Sequence, residues 1–297
     1  MIASRRMRLI ILRFLDFIPD RLMIYIQYYI STGRVLNLRN PRRFTEKLQW
    51  YKLYYRNKLM TKCADKYMVR EYVMSKGLVD ILIRLYGVYD KPNQINFKDL
   101  PNSFILKTTN GSHTNIPCVD KSNLNIKDAK KNLNKWIEEW AGKVGREWAY
   151  YDIKPKIICE KLLESNGING LDDYKFFCFN GEPYCLYVVV DRGLKNGLRL
   201  GIYDLEFNKL KYRRSDIDPI EDHIEKPKNF EKMVEISRIL SKDFPHVRVD
   251  LYNIDSKIYF GELTFYDGSG YKEFKDDEFD NLLGDKFKLP KKHKVAV

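Results

Sequence analysis

Two carboxylates and an arginine in "VRVDLYNIDSKIYFGELTF" (residues 247–265) have the residue types and spacing to do chemistry. Val247, Val249 and Leu251 alternate with Arg248, Asp250 and Tyr252, the period of a strand. Ile258, Phe260, Glu262 and Thr264 share one parity of the next strand. A loop at Ile254–Ser256 sets residue 248 against 262 and residue 250 against 260, so Asp250 and Glu262 lie diagonally on one face. Like charges so placed repel unless something neutralises them. Hard oxygen ligands suit Mg²⁺, which takes a few carboxylates and leaves its other positions to water and phosphate. Arg248, opposite Glu262, is the other solution. The hairpin alone leaves both open.

Three more stretches carry charge where a ligand could use it. In "FILKTTNGSH" (104–113) a strand delivers Lys107 to a Thr-Thr-Asn-Gly-Ser turn. Successive N–H groups in such a turn can form an anion nest, and Gly111 permits close approach. The spacing is not that of a P-loop. "IICEKLLE" ends a strand in Glu160 and Lys161 beside apolar Leu162 and Leu163. In "DDYKFFCFNG", Asp173 and Lys175 share a strand face. Each of these alone reads more readily as an ordinary strand end, hairpin turn or surface charge than as a ligand site.

The elements that must position these groups change along the chain. Residues 1–80 read mostly as helix. "NPRRFTEKLQWYKLYYRN" opens with a turn and has Thr45 placed to cap a helix holding Glu46. "ADKYMVREYVMSKG" (64–77) is a further helix, closed by Gly77. "LIRLYGVYD", "SFILKTTN" and "TNIPCVD" are short strands. Residues 126–143 have helical period with Leu133, Trp136, Ile137 and Trp140 on one face. Residues 173–191 form a hairpin turning at Asn180-Gly181, residues 198–210 another near Asp204, and residues 228–244 an amphipathic helix. Strand runs with interspersed helices predict an α+β architecture in two lobes.

Composition bounds the partners. Net charge is +13, which favours an anionic partner such as a nucleotide, an acidic glycan or an anionic lipid. Basic residues are spread along the chain and not gathered in a reader motif, so nucleic acid is not expected. Five cysteines without a C-x-x-C spacing read as buried thiols of a reducing compartment. The histidines (His113, His223, His246, His293) are scattered, against a zinc site. The start, "MRLIILRFLDFIPDRLMIYIQYYI", is interrupted by Arg13, Asp16, Pro19, Asp20 and Arg21. It has no apolar run near the roughly 20 residues a spanning helix needs. It reads as two short amphipathic helices that pack on the domain, with peripheral association at a membrane surface left open.

The order of these features decides the fold expectation. A strand lysine, a Gly-Ser turn, an E-K hinge, a charged strand, then R-x-D and E-x-T on paired strands resemble the ATP-grasp superfamily. "NPRRFTEKLQWYK", "ADKYMVREYV", "FILKTTNGSH", "CEKLL" and "DDYKFFCFNGEP" are similar to the TupA-like ATP-grasp family of bacterial surface polysaccharide and teichuronopeptide synthesis. The likeness runs from about residue 20 to about 275. It implies two α/β lobes clamping ATP after a helical segment: residues 1–80, a small lobe with a lid loop at 81–165, a metal-bearing lobe at 166–290 and a polar tail at 291–297.

The resemblance also implies roles. Lys107 would hold ATP phosphates, under a lid of Thr109, Gly111, Ser112 and His113. Glu160, Lys161 and Leu163 would hold ribose and adenine, with Asp173 near the nucleotide. Asp250 and Glu262 would coordinate Mg²⁺, with Thr264 standing where the superfamily usually has Asn. Lys175 and Arg248 would act at the reacting phosphate. The implied activity is a cytoplasmic carboxylate–amine ligase, joining an amine or amino acid to an acidic glycan or sugar carboxylate, at the inner face of the membrane if its start associates there. Competing readings are a glycosyltransferase, for which "DID" at 216–218 fits a D-x-D motif, an ATP-grasp-like kinase, and a basic nucleic-acid or membrane-surface module. His113 and Asp191-Arg192 are read as structural and not as acceptor groups.

Overall fold

The computed structural model describes residues 15–138, 143–164, 171–191 and 197–292. The first amphipathic helix of the start, and with it Trp140, Arg192 and His293, lie outside the described residues. Four helices lead: α1 (Asp20–Thr32), α2 (Phe44–Tyr54), α3 (Lys58–Ala64) and α4 (Val69–Ser75). A small antiparallel sheet follows, from β1 (Leu85–Tyr89), β2 (Phe104–Thr108), β3 (Asn115–Cys118) and β4 (Ile157–Glu160), ordered β1-β4-β2-β3. Helix α5 (Ile126–Glu138) lies on it, with Leu133 buried among Phe104, Leu106 and Ile157.

The second sheet holds β5 (Asp173–Phe179), β6 (Glu182–Val190), β7 (Arg199–Tyr203), β8 (Asp218–Pro219), β9 (His246–Ile254) and β10 (Lys257–Thr264), ordered β10-β9-β5-β6-β7-β8. The β5–β6 hairpin turns at Asn180-Gly181, with φ of 52° and 84°, the left-handed pair that matches strand twist. Beyond Tyr203 the expected second hairpin closes only through a bridge to Lys209, because Asp204 turns the chain back within a tight loop. Helix α6 (Phe230–Ser241) covers the apolar face of β5, β6 and β9, and α7 (Asp277–Lys286) is the last helix among the described residues.

The opposite face of this sheet is divided. Phe177, Phe179 and His246 meet Phe44 of α2, whose ring lies 5.9, 5.9 and 5.0 Å from theirs. Burial pushes the His246 pKa down to about 3, so its neutral ring donates from Nδ1 to the Cys178 carbonyl at 3.0 Å. The other half of the face carries Asp173, Lys175 and Asp250. Burying each aromatic ring of the plug contributes about 1.5–3 kcal/mol, and it fixes α2 over the sheet.

The "NPRRFTEK" segment makes that docking. Thr45 does not cap α2, as the sequence suggested. It sits inside the helix, where its N–H and hydroxyl both donate to Asp280 of α7, at 2.9 and 2.6 Å. Glu46 serves the helix start instead, accepting from the N–H groups of Arg42 and Arg43 at 2.8 and 3.1 Å. Arg43 forks onto Asp277 at 2.8 and 2.6 Å, and Lys47 donates to the carbonyls of Gly284 and Phe287 at 2.7 and 2.9 Å. A Cβ on Gly284 would lie 2.0 Å from the Arg42 carbonyl oxygen, so only glycine allows this approach. Helix α4 begins later than the pattern suggested, at Val69, because Asp65 accepts from the N–H groups of Tyr67 and Met68 and turns the chain first. All five cysteines are buried free thiols. No helix among the described residues is long and apolar enough to cross a membrane.

Burial pushes the Asp280 pKa up to about 6, against the two Thr45 bonds that favour its charge. A carboxyl raised in the folded state stabilises below its unfolded pKa near 3.9, and that stability is lost as pH rises through about 6. We predict that the stability of wild type relative to Asp280→Asn falls by about 2–3 kcal/mol between pH 4 and pH 7. Urea melts of both proteins across that range check it, and parallel curves would refute it.

Candidate active site

The β9–β10 hairpin places its carboxylates differently from the sequence expectation. The turn is two residues, Asp255-Ser256, both with positive φ (50° and 63°), and Ile254 pairs with Lys257. A bulge at Gly261 then shifts the register, so Asp250 faces Glu262 and Arg248 faces Thr264. A Cβ on Gly261 would lie 2.9 Å from the Asp250 carbonyl oxygen, so the crossing is tight. The two carboxylates are therefore directly opposite, not diagonal. On the other side Asp250 pairs with Lys175 of β5, which gives a charged row, Glu262–Asp250–Lys175, across three strands.

Arg248 is the other half of the answer to the repulsion. Its guanidinium is buried and forks onto Asp250, Nε to Oδ1 at 2.7 Å and Nη2 to Oδ2 at 2.6 Å. It also donates to Asp267, to Thr264 Oγ1 at 3.1 Å and to Glu262 at 3.5 Å. Lys175 donates to Asp250 at 2.5 Å and lies 3.6 Å from Asp173. Burial alone would push the Asp250 carboxyl up; Arg248 and then Lys175 outweigh it and hold it below the usual carboxylate range. The Thr264 hydroxyl donates to Glu262 at 3.0 Å.

The small sheet presents the second group. Lys107 reaches Glu160 at 3.0 Å, and Arg70 of α4 reaches the other oxygen of Glu160 at 3.2 Å. Lys161 donates its N–H to the Arg84 carbonyl at 2.9 Å, and its side chain is exposed, with Leu163 half-buried beside it. Gly111 is half-buried, and Ser112 and His113 are exposed at the turn, His113 with a φ of 60°. Thr109 is buried at the base of the turn, its N–H on the Lys156 carbonyl and its hydroxyl accepting from the Lys156 N–H at 3.1 Å.

Lys66 joins the two groups, and sequence reasoning passed over it. It follows α3, donates to the Gly111 carbonyl, and feels Glu262 from the large sheet and Lys107 and Glu160 from the small one. Burial holds its ammonium below the usual lysine range. Its signal was present in "ADKYMVREYV", which also holds Arg70. Also missed was Asp267, in the "DGSG" turn where Gly268, Ser269 and Gly270 all have positive φ. Beside it, Glu147 accepts from Ser269 and faces buried Lys52, whose pKa burial pushes down to about 7. Asp191 pairs with Arg199 at 2.5 Å. In "DID", Asp216 is held by Arg214 at 2.8 Å and Lys272 at 2.5 Å, and Asp218 lies on β8, so the pattern forms no D-x-D loop.

The TupA-like ATP-grasp family profile matches residues 46–288. The chain belongs to the TupA-like ATP-grasp family. The charged groups lie on the two antiparallel sheets, and ATP-grasp enzymes use ATP with Mg²⁺. No curated protein matches the chain. Among solved structures it is similar to a D-alanine–D-alanine ligase from Bacillus anthracis at 16% identity and a TM-score of 0.41, covering 68% of this chain and 57% of that one. An L-amino acid ligase from Bacillus licheniformis gives 12% identity and a TM-score of 0.44, over 88% of this chain and 55% of that one. The chain thus spans less than two thirds of these ligases.

The donor set fits Mg²⁺ carried by a nucleotide. Two carboxylates face each other on the hairpin with a hydroxyl beside them, and 45% of the Glu262 side chain is exposed. Among the described residues no three His, Cys, Asp or Glu side chains are grouped to hold a metal unaided. Mg²⁺ bound by one or two carboxylates takes its other ligands from phosphate and water. Lys66→Met is expected to weaken Mg·ADP binding about tenfold, or about 1.4 kcal/mol, with no loss of fold by circular dichroism. Isothermal titration checks it, and unchanged affinity would reduce Lys66 to a tether for the turn.

Proposed function

We propose that the protein is an ATP- and Mg²⁺-dependent ligase that forms an amide between an amine or amino acid and the carboxylate of a uronic acid or similar acidic sugar. The observation that supports this reading is the pairing of Lys175 and Arg248 with Asp250 beside Glu262, and of Lys107 with Glu160, with Lys66 within electrostatic reach of both groups. Phosphoryl transfer needs such positioning and charge neutralisation more than a protein nucleophile.

The residues then divide the work. Lys107 and Lys66 hold phosphate oxygens beneath the 109–113 turn, and Glu160, Lys161 and Leu163 hold ribose and adenine, with Asp173 behind Lys175. Asp250, Glu262 and Thr264 would hold the Mg²⁺, which when bound would supply charge neutralisation at the phosphates. A carboxylate oxygen attacks the γ-phosphorus and ADP leaves. The amine nitrogen then attacks the acyl carbon, the C–O bond to phosphate breaks, and the nitrogen loses a proton. Arg248 stabilises negative charge at the acyl phosphate, and Lys175 the transferred phosphate.

An acidic glycan precursor of a bacterial surface polysaccharide suits the basic chain, and the site of action is the cytoplasmic side of the membrane, where ATP is supplied. Thermal shift with Mg·ADP on wild type and Glu262→Gln is the first test. Ligand at a hundredfold excess over its Kd stabilises by roughly 2.7 kcal/mol, and the shift is expected in wild type and lost in the variant. ADP release that requires both a uronate and an amine is expected of wild type, with turnover down at least about a hundredfold in Asp250→Asn. ADP release without an amine would make the protein a kinase. A shift with a UDP-sugar and none with ADP would make it a glycosyltransferase.

A further inference from the structure

Helix α1 has two unlike faces. Met23, Ile24, Tyr28 and Thr32 are buried against the domain. Leu22, Ile26, Tyr29 and Ile30 are 54, 39, 59 and 73% exposed. At 3.6 residues per turn these four fall within about 100° of one another. Phe17 before the helix and Val35 after it extend the stripe, each 81% exposed. Half of the exposed large hydrophobic residues among the described ones thus lie within residues 17–35.

Charge identifies the occupant. Arg21 on the helix, and Arg39 and Arg42 in the chain that follows it, are exposed. The residues ahead of it, "MIASRRMRLIILRF", interleave four arginines with Leu, Ile and Phe and contain no acid. A helix with an apolar stripe and an arginine-rich setting lies in the headgroup region of a bilayer, and anionic lipid strengthens the contact.

The buried side of α1 gives this a consequence. Gln27 donates to the Val144 carbonyl at 2.8 Å and accepts from the Tyr271 hydroxyl at 2.7 Å. Those residues flank Glu147 and Ser269, which bond to each other next to Asp267 and Arg248. We propose that α1 docks the protein on an anionic membrane surface and turns this wall of the cleft toward it. The orientation rests on the ligase reading and gives its acceptor a class: a carboxylate carried on a lipid. The docking itself does not depend on that reading.

The full chain is sedimented, without nucleotide, with vesicles of phosphatidylcholine alone or mixed with phosphatidylglycerol. Binding to the mixed vesicles is expected to exceed binding to the neutral ones at least about tenfold, and Leu22→Glu/Ile30→Glu to remove it. If that variant fails to fold, Arg39→Glu/Arg42→Glu is expected to weaken binding while its melting temperature stays put. No partition of wild type, or equal partition of wild type and folded variant, overturns the docking. So does a wild-type dimer that the variant makes monomeric, since a second copy then covers the stripe. The Mg·ADP shift is read on the same samples: its loss with vesicle binding intact sinks the ligase reading alone.

Discussion

A buried guanidinium sets the terms for the rest of this structure. Arg248 is only 8% exposed, and an unpaired charge at such a site costs several kcal/mol. It is tolerable because Asp250 takes it bidentately from its own strand and Asp267 takes it from the turn after β10. Those bonds fix three things together: the side-chain positions of the hairpin, the path of the "DGSG" turn, and the place where Lys175 must neutralise what remains on Asp250. Removing one partner would leave a buried charge exposed to no solvent, so the cluster stands or falls as a unit.

The sheet face that bears this cluster shows how the fold makes room for it. One half is closed by the ring of Phe44 against Phe177, Phe179 and His246, and Phe287 packs on the same group. The other half is left to charge. The division lies within single strands: β5 carries Phe177 and Phe179 toward one end and Asp173 and Lys175 toward the other, all on one parity. The α2–α7 clasp, with Thr45 on Asp280 and Arg43 on Asp277, decides where the plug ends and the cleft begins. "NPRRFTEK" thus acts on the site from a distance, through packing.

What could be read in the sequence follows from how local its cause is. The parity of β9 and the turn at Asn180-Gly181 depend on neighbours a few residues apart, and both are as expected. The expected register of Asp250 was off by two residues, one because the turn is Asp255-Ser256 and not Ile254–Ser256 and one because of the bulge at Gly261, which leaves no trace in alternation. Thr45 has the composition of a cap and is used for a contact 235 positions away. Lys66 and Asp267 belong to the site through long-range contacts, and nothing in their spacing to Lys107 or Arg248 shows it. The family resemblance supplied the order of the parts, and the structure supplied which charges touch.

Charge balance among these groups explains why their contacts are built as pairs. Lys66, Lys107, Arg70, Lys175 and Arg248 stand against Glu160, Asp173, Asp250, Glu262 and Asp267, five of each sign. On the ligase reading a triphosphate enters this balanced set and competes with carboxylates for the same cations. Lys107 must loosen its hold on Glu160 to reach a phosphate, and Lys175 its hold on Asp250. Each exchange substitutes one anion for another, so no lysine is left bare in a cleft of low dielectric, where an unpaired charge is expensive. Of the carboxylates released, Asp250 is then placed to receive Mg²⁺ and Glu160 the ribose. The ion pairs seen across the sheet and the metal site inferred from the sequence are then two uses of the same side chains, and the question of which one the hairpin was made for does not arise.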